Sequence, residues 1–292
     1  MPMQELPGII LAPYGTIYPS ALATYDQILK AYEHEFPGSP VRLAFTSRLM
    51  RKRLLEKEGI RINSLLAALA DLHDLGSGSV VVQSLQIVPG EEFHQVAALV
   101  QAMQGSAKQA FSHLETGLPL LSDISDCRRV SSLLRESSLR DPKKEAVLLV
   151  GHGTGHPADA LYSLMDQVLK IEHRNVFLGT MEGFLGLEKL LPELRGSGAR
   201  VVRLVPFLLV AGGHAENDIV GQSPKSWKSI LEGEGFDVVA DLRGLGEREE
   251  IVSLFLEHTE NALERKHFDQ QVYRPVRVCR EGCNGIVSRN TS

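Results

Sequence analysis

Val147-Leu148-Leu149-Val150-Gly151-His152-Gly153-Thr154-Gly155-His156-Pro157 runs from a continuous apolar stretch into a glycine-rich turn. Ile9-Ile10-Leu11-Ala12-Pro13-Tyr14-Gly15-Thr16-Ile17-Tyr18-Pro19 does the same in the first half of the chain. Each passes through an aromatic or imidazole residue, Gly-Thr and a proline three positions on, then enters a helical pattern carrying Asp-Gln, at Asp26-Gln27 and Asp166-Gln167. Strands apolar on consecutive residues are those buried on both faces of a parallel sheet. Two such strand-turn-helix units in one order predict two similar α/β lobes.

Further strands are predicted at Val41–Thr46, Ser79–Val88, Phe111–Thr116, Asn175–Gly179, Arg200–Val210 and Asp237–Asp241. Between them lie amphipathic stretches such as Leu161, Leu164, Met165, Val168 and Leu169, and Leu22, Tyr25, Leu29 and Tyr32, which are core-facing stripes. The alternation means βαβ units. The expected fold is two Rossmann-like lobes, each with a mainly parallel four-stranded sheet flanked by helices. Residues 1–140 form the first, 141–265 the second, and 266–292 an irregular tail. The polar stretch Arg135–Lys144 is the expected linker. Laying Ser84–Glu92 on Pro206–His214 sets Glu92 opposite His214.

Composition narrows the function. The 292 residues carry 31 Lys+Arg against 36 Asp+Glu, a net charge of −5, which disfavours nucleic acid as the main partner. No apolar run approaches a bilayer span, and Met1–Gly15 lacks the basic, long-apolar pattern of a secretory leader. Cys127, Cys279 and Cys283 are too few for a disulfide framework, so a reducing, cytoplasmic setting is expected. Neither Gly-Thr turn is a dinucleotide fingerprint or a Walker loop. Cys279 and Cys283 lack further Cys or His ligands nearby and read as part of a plain tail.

In open α/β sheets ligands bind beyond the carboxyl ends of strands. His152 follows Ala146–Val150, Glu182 follows Asn175–Gly179, His214 follows Arg200–Val210, and Glu92 follows Ser79–Val88. Two imidazoles with carboxylates suit divalent cobalt, nickel, iron or zinc. Each histidine taken alone would equally serve as a loop residue or a cap. His156 is expected to cap a helix start or lie on the surface, and His94, His113, His173 and His258 to be surface or packing residues without converging partners. The cluster Arg48, Arg51, Lys52 and Arg53 could steer an anionic substrate, or form a solvated helix face balanced by Glu56 and Glu58.

Several strings together resemble the anaerobic cobalt chelatases of the cobalamin pathway, the sirohydrochlorin cobaltochelatases among the class II chelatases. They are Tyr14-Gly15-Thr16, Ala44-Phe45-Thr46-Ser47, Gln83-Ser84-Leu85, Gly90-Glu91-Glu92-Phe93, Gly151-His152-Gly153, Met181-Glu182-Gly183 and Ser226-Trp227-Lys228. The most specific is Leu209-Val210-Ala211-Gly212-Gly213-His214-Ala215-Glu216-Asn217-Asp218. The likeness covers about Pro7 to Arg265; Gln86 stands where some relatives carry histidine, and the tail has no counterpart.

The resemblance implies a tetrapyrrole cleft between two lobes and insertion of Co²⁺ into sirohydrochlorin, with no cofactor beyond the substrate metal. It implies His152 and His214 as metal-holding and proton-accepting groups, Glu182 as third ligand and Glu92 as a further metal or proton partner. It implies Tyr14, Gly15, Thr16, Phe45, Ser47, Ser84 and Leu85 around the substrate, and self-association of the chain. An iron or nickel chelatase and a non-catalytic tetrapyrrole or metal carrier are the alternatives.

Overall fold

The structure, a computed structural model, describes residues 6–106, 111–134, 144–213 and 215–264. The expected linker (save Lys144), the tail with Cys279 and Cys283, and His214 lie outside these residues. Among the described residues eight strands form two sheets of four. β1 (Gly8–Ala12), β2 (Val41–Leu43), β3 (Ser79–Ser84) and β4 (His113–Gly117) stand in the order β2-β1-β3-β4; β5 (Glu145–Gly151), β6 (Val176–Thr180), β7 (Val201–Phe207) and β8 (Asp237–Ala240) repeat it as β6-β5-β7-β8. All pairings are parallel. The expected pair of similar α/β lobes is what the chain forms.

The helices are α1 (Pro19–Glu35), α2 (Arg48–Glu58), α3 (Leu65–Asp74), α4 (Glu91–Ser106), α5 (Ile124–Leu134), α6 (Ala160–Glu172), α7 (Leu187–Gly196), α8 (Trp227–Gly233) and α9 (Glu249–Leu263). Local chemistry sets several ends. Ser47 and Ser64 cap α2 and α3 by accepting from Met50 N and Ala67 N, each at 3.3 Å, and Gly59 closes α2 in the left-handed conformation. Among the described residues no helix is long and apolar enough to cross a membrane.

Successive strand residues divide between the two faces, as the two-residue period requires. Ile9, Leu11, Val147 and Leu149 join one core continuous between the sheets, with Tyr25, Phe207 and Phe255; Ile10 and Ala12, and Ala146, Leu148 and Val150, pack on the outer faces. Two strands end earlier than their apolar runs, at Ser84 and Phe207. Beyond those points Leu85, Ile87, Val88 and Leu208–Val210 leave the sheet and line a cleft. There the backbone bonds elsewhere, Leu120 N to Gln86 O (3.0 Å) and Leu121 N to Ile87 O (2.8 Å). Apolar composition reports burial in both settings, so it does not mark where the ladder stops.

After the second sheet the chain crosses back, and α9 covers β3 and β4 of the first. Tyr32 Oη lies 3.0 Å from Thr259 Oγ1, which lies 2.9 Å from Gln83 Oε1. Gln83 is fully buried and donates through Nε2 to Ser84 O and Leu118 O, both at 2.7 Å. Its side chain takes the space a Cβ at position 117 would need, which is why β4 ends on Gly117. His258 is buried against Leu118 O (3.1 Å) and Asp126 Oδ1 (3.4 Å), and Arg129 pairs with Glu257 at 2.8 Å, so His258 has the partners the sequence did not suggest.

Phe255 is fully buried in the shared core. Phe255→Ala is expected to cost about 3–5 kcal/mol, read as a lower urea midpoint. Cys127 is buried and its thiol is pushed up to about 12, first by burial and then by Asp126 and Asp123. That makes it a packing residue rather than a nucleophile.

Candidate active site in the cleft between the sheets

The site grows from the repeated turn after each central strand. Ala12 pairs with Ser84 and Val150 with Pro206, at equivalent places two residues before Tyr14 and His152. This register sets Ser84 and Pro206 at equivalent positions, the point at which the sequence correspondence begins. The loops repeat as well. Ser47 N donates to Tyr14 O at 3.1 Å and Glu182 N to His152 O at 2.8 Å; one residue earlier, Thr46 N donates to Pro13 O (2.9 Å) and Met181 N to Gly151 O (3.0 Å). Tyr14 and His152 are thus counterparts, as are Ser47 and Glu182.

Gly15 and Gly153 follow them with φ of 112° and 81°. A Cβ on Gly153 would overlap Gly183 N and stand 2.7 Å from Gly183 Cα, so glycine here serves both the backbone conformation and the close approach of two loops. Asp159, buried at the start of α6, sews the same loops together. Its Oδ1 accepts from Thr154 N at 3.0 Å and its Oδ2 from Phe184 N at 2.7 Å. Below the turns, Tyr25 and Tyr162 are buried with hydroxyls raised well above the usual phenol range by desolvation, so both stay neutral.

The turns enclose a cleft of about 670 Å³, within the size range of small-molecule sites. Tyr14, Gly15, Thr16, Leu85, Glu92 and His152 line it. So do residues the sequence reading gave no role, among them Tyr18, Met50, Ile87 and Val88, together with Gln86, Arg53, Asn217 and Asp218 from strings already singled out. Tyr18 reaches across to the opposite lobe, and a Cβ on Gly213 would lie 2.8 Å from its ring.

Other expected site residues stand behind this surface. Phe45 is fully buried, edge-on to Tyr25 with centroids 5.6 Å apart, and Ser84 is buried against Gln86 Oε1. Ser47 caps α2. The three shape the wall rather than face the space. Glu182 does not line the cleft but sits beside His152, with Oε2 3.9 Å from Nδ1.

His152 Nδ1 is 3.0 Å from Gly153 O. With Nδ1–H donating there, Nε2 carries the lone pair, the state in which imidazole binds a cation or takes a proton. His156 caps the turn Pro157–Asp159 by accepting from Ala158 N at 3.1 Å, as expected. His94, expected to lack a partner, meets the His156 ring across the lobes at 5.0 Å between centroids. Burial and the neighbouring imidazole hold its pKa below the usual value. That encounter depends on how the lobes close, which no local pattern encodes. Among the described residues no three His, Cys, Asp or Glu side chains gather as a metal cluster.

The family model "Cobalt chelatase (CbiK)" matches residues 7–264, which takes in both sheets and every turn of the cleft. The chain belongs to the cobalt chelatase family. Among its relatives, "Sirohydrochlorin cobaltochelatase CbiKC" of Nitratidesulfovibrio vulgaris (Hildenborough) is 37% identical over 262 residues, covering 88% of this chain and 92% of that one. "Sirohydrochlorin cobaltochelatase" of Salmonella typhimurium LT2 is 31% identical over 260 residues, covering 88% and 96%. In fold the chain resembles SirB from Bacillus subtilis, solved with Fe³⁺, with a TM-score of 0.63 over 90% of this chain and 97% of that one; at 13% identity this is a likeness of architecture. The cobalt chelatase assignment makes the cleft between the repeated turns the candidate active site of a metal chelatase.

Proposed function

We infer that the chain is a sirohydrochlorin cobaltochelatase, inserting Co²⁺ into the metal-free macrocycle with release of two pyrrole protons. The observation that carries this reading is His152 on the cleft wall, with Nδ1 3.0 Å from the Gly153 carbonyl oxygen, a contact that puts the ring proton on Nδ1 and the lone pair on Nε2. The names of the two curated relatives support the substrate and the metal.

Insertion requires an ion held with open coordination positions and a base near the ring nitrogens. Neutral imidazole at His152 supplies either. Glu182, 3.9 Å from that imidazole, can share the ion or steady the ring as it charges. Glu92 lines the cleft and occupies in the first repeat the position that His214 occupies in the second. Glu92 and His214 complete the proposed set, one from each repeat of the sequence. Tyr14, Gly15, Thr16 and Leu85 form the surface on which the macrocycle rests.

The test is absorbance spectroscopy of metal-free sirohydrochlorin with Co²⁺, Fe²⁺ or Ni²⁺ supplied in turn to a small amount of the chain. Many product molecules per chain, fastest with Co²⁺, is the expected result. Faster turnover with Fe²⁺ or Ni²⁺ would reassign the metal, because ligand type alone does not choose among these ions. One bound macrocycle per chain without turnover would make the protein a carrier.

A further inference from the structure

We propose that Arg53 is a carboxylate-binding residue that holds the anionic rim of the substrate against the first lobe. This rests on the sirohydrochlorin reading and names the side chain that recognises its charge. Arg53 is the one guanidinium or ammonium group among the described residues lining the cleft, which otherwise presents the carboxylates Glu92 and Asp218.

Two neighbours in the basic cluster are committed elsewhere. Arg51 donates to Phe45 O and to Thr46 O (3.2 Å), tying α2 to the loop after β2. Lys52 pairs with Glu56 at 3.7 Å. Arg53 has Leu49 and Lys57 four positions away on its helix, and Glu56, three positions on, is paired with Lys52 instead. It has no ion pair or hydrogen bond to another described residue.

Helical spacing puts Met50 on the same face, one turn back, and Met50 also lines the cleft, packed where a Cβ on Gly15 would lie 3.1 Å from its own Cβ. Arg53 therefore stands on the wall formed by α2 and the Tyr14-Gly15-Thr16 turn, while His152 stands on the wall of the other lobe. A macrocycle with metal-binding nitrogens at its centre and carboxylates around its edge meets this polarity in one sense. The edge pairs with the guanidinium, whose planar fork suits a carboxylate, and the centre lies toward His152 and Glu92. The contact is made equally before and during insertion, so it acts on binding and not on the chemical step.

The experiment is a spectral titration of the full chain with metal-free sirohydrochlorin, followed by steady-state insertion with saturating Co²⁺. Arg53→Gln is expected to weaken sirohydrochlorin binding and raise its KM by roughly tenfold. The KM for Co²⁺ and kcat should stay within about twofold, the pattern of lost uniform binding. Arg53→Glu should weaken binding further and Arg53→Lys recover part of the loss. Lys52→Gln, on the same helix but outside the cleft, should bind as the native chain does. Unchanged binding by Arg53→Gln, or an equal loss in Lys52→Gln, would overturn the proposal. A native chain that neither binds nor metallates sirohydrochlorin would instead sink the reading of the substrate, and that arm needs no variant.

Discussion

His152→Ala is expected to lower the rate of metal insertion at least ~100-fold at limiting Co²⁺ while leaving the fold intact. The size follows from losing a base and an ion-holding group at once, since acid–base assistance alone is worth roughly 10²–10⁴-fold. The fold should survive because the imidazole is only partly buried, with 41% of its side chain exposed, and it bonds to the carbonyl of the adjacent residue, Gly153. Gly153 O is then left to solvent, which costs little. Single-turnover absorbance measurements on the native and variant chains, with thermal melting as the control for folding, check this. Near-native insertion by a folded His152→Ala chain would remove His152 from the chemistry.

Gly153→Ala is expected to be more damaging than its one added methyl suggests, because it acts on stability and activity together. Position 153 has φ of 81°, a conformation costly for any residue with a side chain. The new Cβ would overlap Gly183 N and lie 2.9 Å from Thr180 Cβ, both backbone-anchored neighbours that cannot swing away. Strain and overpacking together predict a loss of about 2–4 kcal/mol. The relief available is to part the His152 turn from the Glu182 loop, which would carry His152 off the cleft wall and suppress insertion even in molecules that remain folded. Gly155→Ala is the control. A Cβ there meets nothing within 4 Å, and Gly155 is not among the positive-φ positions, so its stability should change by less than ~0.5 kcal/mol. Urea unfolding of both variants beside the insertion assay separates them; similar curves would contradict the strain argument.

Those two positions also mark how much of the site the sequence carried. His152 and Gly153 were legible because a reactive side chain and a glycine directly follow an apolar strand, and strand ends are where α/β sheets place ligands. The repeat could be read because its two copies keep the same residue types at the same offsets, and the backbone pairing of Ala12 with Ser84 and Val150 with Pro206 follows that alignment. Contacts made between distant parts of the chain left no such trace. The return of α9 onto β3 and β4, the meeting of His94 with His156, and the role of Asp159 in joining two loops are set by how whole elements dock. The basic cluster of α2 was visible as composition, but choosing Arg53 over Arg51 or Lys52 needs the rotation of the helix against the Gly15 turn. Phe45 and Ser84 lie within the strings that carry the family likeness, yet they are buried one layer behind the cleft. Likeness of sequence preserves packing residues as faithfully as contact residues.

In the proposed mechanism His152 holds the substrate cation on the second lobe's wall of the cleft. Anomalous diffraction at the cobalt edge from crystals soaked in Co²⁺ tests it most directly. A cobalt peak is expected inside the cleft, about 2.1 Å from His152 Nε2, the bonding distance usual for imidazole and a divalent transition metal, and it should disappear in His152→Ala. Cobalt bound only elsewhere, for instance between His94 and His156, with the His152 ring turned away and bare, would contradict it.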